Sequence, residues 1–121
     1  MKLFRSFGYA WQGIHYCYKT QLNFRIHLLV LLGVVVAGFV LQISTVEWLF
    51  IIVCSMLVLS LELLNTAIEY LCDTVTTEIH PIIKIVKDAS AAAVLLAAAG
   101  SVVTGFIIFL PKIFTFVKSY A

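Results

Sequence analysis

The chain has 121 residues, of which 63% are hydrophobic and only 12% are charged, and its mean hydropathy is +1.10. Soluble domains carry about 25% charged residues, so the composition excludes an ordinary water-soluble domain and a disordered chain. The net charge is +2 and the eight Lys and Arg residues are scattered, which argues against a nucleic-acid partner. Cys17, Cys54 and Cys72 form no CxxC pair, so we expect neither a disulfide framework nor a zinc site. These features predict a single domain, 1–121, within a lipid bilayer.

The first 21 residues predict a helix that lies on the membrane surface. Phe4, Phe7, Trp11 and Tyr18 follow one another at helical steps, so they share one face, and basic and polar residues fill much of the rest. Aromatic rings on one face and cations on the other are typical of an interfacial helix. The segment lacks the continuous apolar run of a signal peptide. We therefore expect an amphipathic surface helix over residues 1–21.

Three later segments predict membrane-spanning helices, over residues 24–43, 47–73 and 85–111. About 20 apolar residues cross a hydrocarbon core of roughly 30 Å, and the first and third segments meet that length. The second is uncharged only over residues 48–61, so it spans the core only if its helix continues through Glu62. The predicted fold is an all-α membrane protein with one amphipathic surface helix and three transmembrane helices.

The distribution of Lys and Arg predicts the orientation of these helices. The Lys and Arg residues before the first span and between the second and third spans are Lys2, Arg5, Lys19, Arg25, Lys84 and Lys87. Only Lys112 and Lys118 follow the third span, and the link between the first two spans has no cation. Because cations accumulate on the cytoplasmic side, we expect the N-terminus and residues 74–88 inside and the C-terminus outside.

Three acids lie where the second span enters the membrane. On a helix, Glu69 and Asp73 each lie within about 20° of Glu62 around the helix axis, and Asn65 lies about 60° from Glu62. A carboxylate at hydrocarbon depth is costly and normally faces a bundle interior or a wet cavity, which makes it a functional candidate. The alternative is that the acids sit at the interface and form solvated ion pairs with the lysines of the following loop.

The segment after this acidic stripe adds the groups that phosphoryl transfer requires. It contains Glu78, His80, Lys84, Lys87 and Asp88. Paired carboxylates can hold Mg²⁺ through oxygen ligands, and a lysine offers a compact positive charge to a phosphate. Catalysis of phosphoryl transfer consists mostly of positioning and charge neutralisation. The glycine-rich loops that bind nucleotides in other folds are missing.

Residue chemistry alone leaves two functions open: a membrane-embedded phosphotransferase and a small oligomer that conducts protons or cations. Both would need partner copies, because three helices cannot surround a polar cleft well. Residues 90–93 are small, which indicates only that the third span packs closely against a neighbour. His27 is expected to be a solvent-facing residue at a helix end.

Residues 62–69, with the sequence ELLNTAIE, are followed by Asp73 and then by KDASAAAV at 87–94. This combination resembles the signature of the prokaryotic diacylglycerol kinase and undecaprenol kinase family. Upstream, residues 7–13 and 23–27 are similar to the amphipathic helix and first span of that family, so the resemblance covers nearly the whole chain. It implies a homotrimeric lipid kinase of the bacterial cytoplasmic membrane, with active sites between subunits that face the cytoplasm. It also implies ATP and Mg²⁺, and a γ-phosphate transferred to a lipid hydroxyl.

The resemblance also implies roles for individual residues. Glu62 would be the general base, supported by Asn65, and Glu69 would hold the metal ion. Asp73 and Arg25 would have supporting roles, with Arg25 in structure or lipid contact. The residues implied at the nucleotide are Lys87 and Asp88, with Glu78, His80 and Tyr9 nearby.

One position departs from the family pattern. The family usually has a second metal-binding glutamate before the first span, and Gln21 occupies that place here. An amide oxygen can ligate a divalent cation but brings no negative charge. We therefore expect Gln21 to be a weak metal ligand.

The resemblance implies diacylglycerol as the substrate and phosphatidic acid as the product, with undecaprenol, giving undecaprenyl phosphate, as the alternative. Residues 77–81 look more like the undecaprenol kinases of the family. Both lipids offer a hydroxyl near the headgroup plane and an apolar body, so residue chemistry does not separate them.

Overall fold

The computed structural model describes all 121 residues as four helices: α1 Lys2–Thr20, α2 Leu22–Val40, α3 Thr45–Val75 and α4 Pro81–Tyr120. Helices α2, α3 and α4 are each long and apolar enough to cross a membrane. There is no strand. The predicted all-α membrane fold is therefore confirmed.

A single residue separates α1 from α2. Gln21 is extended (φ −108°, ψ 111°) and its backbone N–H donates to the Cys17 carbonyl at 2.8 Å, which closes the last turn of α1. The ring of Tyr16 packs edge-on against Tyr70 of α3, with centroids 5.7 Å apart. Hydrogen bonding with Tyr70 raises the pKa of the Tyr16 phenol. Helix α1 is thus held beside α3, with most of its large aromatic side chains exposed, as an interfacial helix requires.

The turn between α2 and α3 is closed by a capping box. The backbone N–H of Ser44 donates to Glu47 Oε2 at 2.7 Å, and the Glu47 N–H donates to Ser44 Oγ at 3.2 Å. Both groups satisfy donors that would otherwise be unpaired at a helix start. Glu47 also pairs with Lys112 of α4, with Nζ 3.2 Å from Oε2, so the capped end of α3 is tied to the third span.

Helices α3 and α4 are longer than the membrane core. They contain 31 and 40 residues, which corresponds to about 46 and 60 Å at 1.5 Å per residue. Helix α4 starts at Pro81, which suits a first helical position. It continues through Pro111 to Tyr120, whereas the sequence predicted its end at the proline. A proline inside a helix removes its own N–H from the ladder and crowds the carbonyl of the preceding turn, yet the helix continues here, and the Pro111 carbonyl accepts a hydrogen bond from Thr115 Oγ1 at 3.0 Å.

The interior of the chain is thin. Only 11 of 121 residues are buried, and most large apolar side chains are exposed, as expected where lipid is the solvent. One buried cluster contains Ile43, Ile51 and Ile108 at the end of the bundle near the α2–α3 turn. Glu62 is also buried, at 5% exposure. The expectation that partner copies are needed to cover the acidic stripe is therefore wrong for Glu62, which its own chain covers.

Candidate active site

The most buried charged group of the chain is the Glu62 carboxylate. It faces α2, where His27 Nε2 lies 3.2 Å from Glu62 Oε1, and the two side chains are 6% and 25% exposed. His27 was expected to face solvent at a helix end. The structure corrects this, because α2 begins at Leu22 and so places His27 more than one turn inside the helix, on the side that meets α3.

The backbone around Glu62 is fixed by its own helix. Thr66, one turn later, is 4% exposed and its Oγ1 donates to the Glu62 carbonyl at 2.9 Å. A threonine that bonds back in this way satisfies its hydroxyl without a second helix. No other ion pair or hydrogen bond reaches the Glu62 carboxylate, so His27 is its one polar partner within the chain.

One turn along the stripe, Asn65 connects α3 to α4. Its Nδ2 donates to Glu69 Oε1 at 3.4 Å, and its Oδ1 lies 2.7 Å from the hydroxyl of Ser90. That hydroxyl is also 2.9 Å from the Lys87 carbonyl, so one donor is shared between the two acceptors. Ser90 therefore orients the amide that faces Glu69. Sequence reasoning missed it, treating Ser90 as a small packing residue. The available signal was its position three residues after Lys87, on the same face of α4.

At the far end of the stripe the charges are paired and exposed. Lys87 Nζ lies 2.5 Å from Asp73 Oδ1, with side-chain exposures of 37% and 62%. Lys84 Nζ lies 2.5 Å from Asp88 Oδ2 within α4. Within the single chain, Asp73 thus forms the exposed ion pair with a lysine that the sequence left open as an alternative. That alternative does not describe Glu62, which pairs with no lysine.

Six of the predicted site residues lie apart from the stripe: Tyr9, Gln21, Arg25, Glu78, His80 and Asp88. The side chains of Tyr9, Arg25 and Glu78 are exposed and form no hydrogen bond or ion pair with it. His80 caps α4, its Nδ1 accepting from the Ile82 N–H at 3.2 Å. Side-chain contacts thus join Asn65 to Glu69 and Asp73 to Lys87, whereas Glu62, on the same helix, contacts only His27.

One carboxylate of the stripe suits a magnesium ion whose other ligands are phosphates and waters. The chain contains no cluster of three or more His, Cys, Asp or Glu side chains, but Mg²⁺ beside a nucleotide commonly takes only one or two carboxylates and keeps several waters. Glu69 fits, since its carboxylate is half-buried and contacted only by the long bond from Asn65. The side chain of Gln21 donates through Nε2 to Thr20 Oγ1 at 3.2 Å, which leaves its amide oxygen without a partner.

An apolar cavity of about 490 Å³ lies between α2, α3 and α4 beside the Glu62 pair. Of the 18 residues that line it, 14 are hydrophobic, and the ring of His27 is one of the few polar exceptions. The histidine therefore stands between an apolar space and the buried carboxylate.

Comparison with known proteins identifies the family. Residues 8–109 match the prokaryotic diacylglycerol kinase family. The chain is 41% identical to an undecaprenol kinase of Bacillus subtilis, over 93% of this chain and 91% of that protein. It is 43% identical to a diacylglycerol kinase of Synechocystis, over 89% of this chain but 62% of that protein. It is 34% identical to a diacylglycerol kinase of Escherichia coli, over 85% and 84% of the two chains. The chain therefore belongs to the prokaryotic diacylglycerol kinase family and is a membrane lipid kinase.

Proposed function

We propose that this lipid kinase transfers the γ-phosphate of ATP to the hydroxyl of diacylglycerol, giving phosphatidic acid and ADP. The observation that carries the proposal is the Glu62 carboxylate, held at 5% exposure in the apolar part of α3 with a single polar contact. A carboxylate in a dry site with a single polar contact is suited to accept a proton from a lipid hydroxyl.

In the reaction, the lipid oxygen attacks the γ-phosphorus while Glu62 takes the hydroxyl proton. The bond between the γ-phosphorus and the bridging oxygen breaks, and ADP leaves with that oxygen. Asn65 supports the site by linking α3 to Ser90 of α4. Lys87 supplies positive charge to the phosphates once it exchanges Asp73 for the nucleotide, which exposure at the interface permits.

Mg²⁺, when bound with ATP, would neutralise charge on the phosphates, and Glu69 with the weaker ligand Gln21 would hold it. Asp88, Glu78, His80 and Tyr9 belong to the nucleotide side in this proposal, and Arg25 at the start of α2 to the lipid headgroup. The roles of Glu78, His80 and Asp88 are supported by the cytoplasmic placement of the loop between α3 and α4, which the Lys and Arg distribution favours.

A homotrimer is part of the proposal. Apart from the α3–α4 and α2–α3 contacts, large apolar faces of the helices are exposed, and Tyr9, Glu78 and Arg25 have no partner within the chain. Neighbouring copies would bring such residues to the site and would cover part of the apolar surface. The bacterial cytoplasmic membrane is the proposed location.

Undecaprenol is the second candidate substrate. It is favoured by the similarity to the Bacillus subtilis undecaprenol kinase, which extends over more than nine-tenths of both chains. Diacylglycerol is favoured by the diacylglycerol kinases of Synechocystis and Escherichia coli. The two lipids share the reacting hydroxyl, so the same site serves both proposals.

The test is transfer of labelled phosphate from ATP, with Mg²⁺, to each lipid offered separately to the purified protein in bilayers. We expect product from one lipid, and a loss of about 100-fold or more in Glu62→Gln, because an amide cannot accept the proton. Glu47→Gln is the matched control, since it removes an acid from the other end of α3, where Lys112 is the partner, and it should retain transfer. Near-normal turnover in Glu62→Gln would exclude Glu62 as the base. Absence of product with both lipids, in an intact oligomer, would contradict the proposed reaction.

A further inference from the structure

We propose that His27 is a positioning residue for Glu62: it holds one oxygen of the carboxylate through its ring and leaves the other directed to the lipid hydroxyl. The inference rests on the proposed role of Glu62 as the base. It adds a residue on a different helix, outside the acidic stripe, to the machinery of the reaction.

The His27–Glu62 pair is isolated from other polar side chains. His27 Nε2 lies 3.2 Å from Glu62 Oε1, and no lysine, arginine or other polar side chain bonds to either group. The nearest residues of the stripe are otherwise engaged, Asn65 with Ser90 and Glu69. A buried carboxylate without any partner would be strongly destabilised, so the orientation of Glu62 depends on the ring of His27.

The second oxygen of the Glu62 carboxylate has no partner. The contact with His27 uses Oε1, and Oε2 has no partner in the chain. The side chain retains 6% exposure, and no buried polar atom of the protein lacks a partner, so the carboxylate is narrowly open and not sealed. A base needs one oxygen fixed and one accessible at hydrogen-bond distance from the proton that it accepts.

The surroundings of the His27 ring are mostly apolar. His27 borders the apolar cavity between α2, α3 and α4, whose other lining residues are mostly hydrophobic. Leucine or phenylalanine would pack better there, since burying a polar ring beside apolar groups costs free energy unless it has a partner. The only such partner is Glu62. The choice of histidine at this position is therefore explained by the carboxylate and not by packing.

The test compares two substitutions of His27 in the transfer assay. His27→Leu fits the apolar cavity but has no N–H, and we expect kcat to fall about 100-fold with little change in the KM for the lipid. His27→Gln keeps an N–H donor of similar reach, and we expect kcat within about 10-fold of the parent. His15→Leu is the control, because His15 is an exposed histidine of α1 that lines a different cavity.

A packing role for His27 predicts the opposite pattern. His27→Leu would then retain kcat and raise the thermal midpoint, and that result would overturn the inference while leaving the kinase activity of the parent intact. The thermal midpoint and the oligomer of each variant are measured beside kcat, so a folding failure is recognised. If His27→Leu does not fold, His27→Gln and His27→Asn decide: the proposal requires the longer side chain to retain more activity than the shorter one. A parent protein without transfer to either lipid would count against the proposed function itself.

Discussion

At the scale of single residues, the acidic stripe shows how burial divides the work among similar side chains. Glu62 is 5% exposed and contacts a histidine, whereas the Asp73 side chain is 62% exposed and contacts a lysine. An isolated acid in a dry site is a candidate proton acceptor. An exposed ion pair contributes little to stability and exchanges partners easily. These differences support the proposed roles of Glu62 as the base and of Lys87 as the phosphate-binding lysine.

The residue that departs from the family pattern gives a prediction of its own. Gln21→Glu places a second carboxylate at the junction of α1 and α2, where the amide oxygen of Gln21 has no partner. We expect the apparent affinity for Mg²⁺ to increase by several-fold, because an anionic ligand attracts the cation more strongly than an amide. The measurement is the Mg²⁺ dependence of phosphate transfer at saturating ATP.

A control separates this effect from a general change of charge. Thr45→Glu adds an acid at the first residue of α3, at the opposite end of the bundle, and should leave the Mg²⁺ dependence unchanged. Unchanged or weaker Mg²⁺ dependence in Gln21→Glu would rule out Gln21 as a metal-ligand position.

The sequence predicts the stripe but not its partners. The spacing of Glu62, Glu69 and Asp73 alone places them on one face of a helix, and this depends only on the helical repeat. The contacts of Glu62 with His27 and of Asn65 with Ser90 depend on how α2 and α4 pack against α3. Helix packing joins residues that are 25 or more positions apart, which no local pattern specifies. His27 was therefore assigned to solvent, and Ser90 to packing alone.

At the scale of elements, the α2–α3 turn depends on one glycine. A Cβ added at Gly38 would meet the indole of Trp48 at 2.6 and 2.8 Å, closer than side-chain carbons approach. The Trp48 ring is held against Phe39, with centroids 4.9 Å apart, so it cannot move away freely. We expect Gly38→Ala to lower the thermal midpoint in detergent by several degrees, because α2 or α3 must shift to make room for the added methyl group.

Gly33 provides the comparison within the same helix. A Cβ at Gly33 has nothing within 4 Å, and alanine favours a helix over glycine by about 0.5–1 kcal/mol. Gly33→Ala should therefore leave the thermal midpoint unchanged or raise it, whereas Gly38→Ala should lower it. Equal midpoints for the two variants would show that the close approach of Trp48 does not stabilise the turn.

The ends of the helices were less predictable than their existence. Hydropathy located three spans, because crossing the core requires a continuous apolar run, and α2, α3 and α4 correspond to them. The ends are determined by local bonding instead. The capping box of Ser44 and Glu47 starts α3, and His80 with Pro81 starts α4. Pro111 lies inside α4 and does not end it, although an interior proline commonly kinks or breaks a helix, so the proline alone predicted the wrong end.

At the scale of the whole molecule, the distribution of cations predicts the orientation. Only Lys112 and Lys118 are expected on the outer side, against six Lys and Arg residues on the inner side. Ion pairs do not change this comparison, because lysines on both sides are paired with acids of the chain, Lys112 with Glu47 and Lys87 with Asp73, and the acids contribute little to orientation. The count of six against two therefore predicts that the N-terminus and the α3–α4 loop lie inside.

This asymmetry in charge predicts which loop is accessible from each side of the membrane. Thr77 in the α3–α4 loop and Thr45 at the start of α3 are both exposed, and each is replaced by cysteine in turn. A membrane-impermeant maleimide should label Thr45→Cys in intact bacterial cells. It should label Thr77→Cys only after the membrane is opened. The parent chain is the control for its own thiols, of which Cys17 and Cys72 are buried.

The reverse labelling would place the loop with Glu78, His80, Lys84 and Lys87 on the outer side, away from cytoplasmic ATP. It would contradict both the orientation and the proposed nucleotide site, because residues proposed to contact ATP must face the compartment that holds it. The expected labelling would instead place Asp73 and Lys87 at the cytoplasmic surface. Glu62 would then lie deeper in the same helix, eleven residues before Asp73.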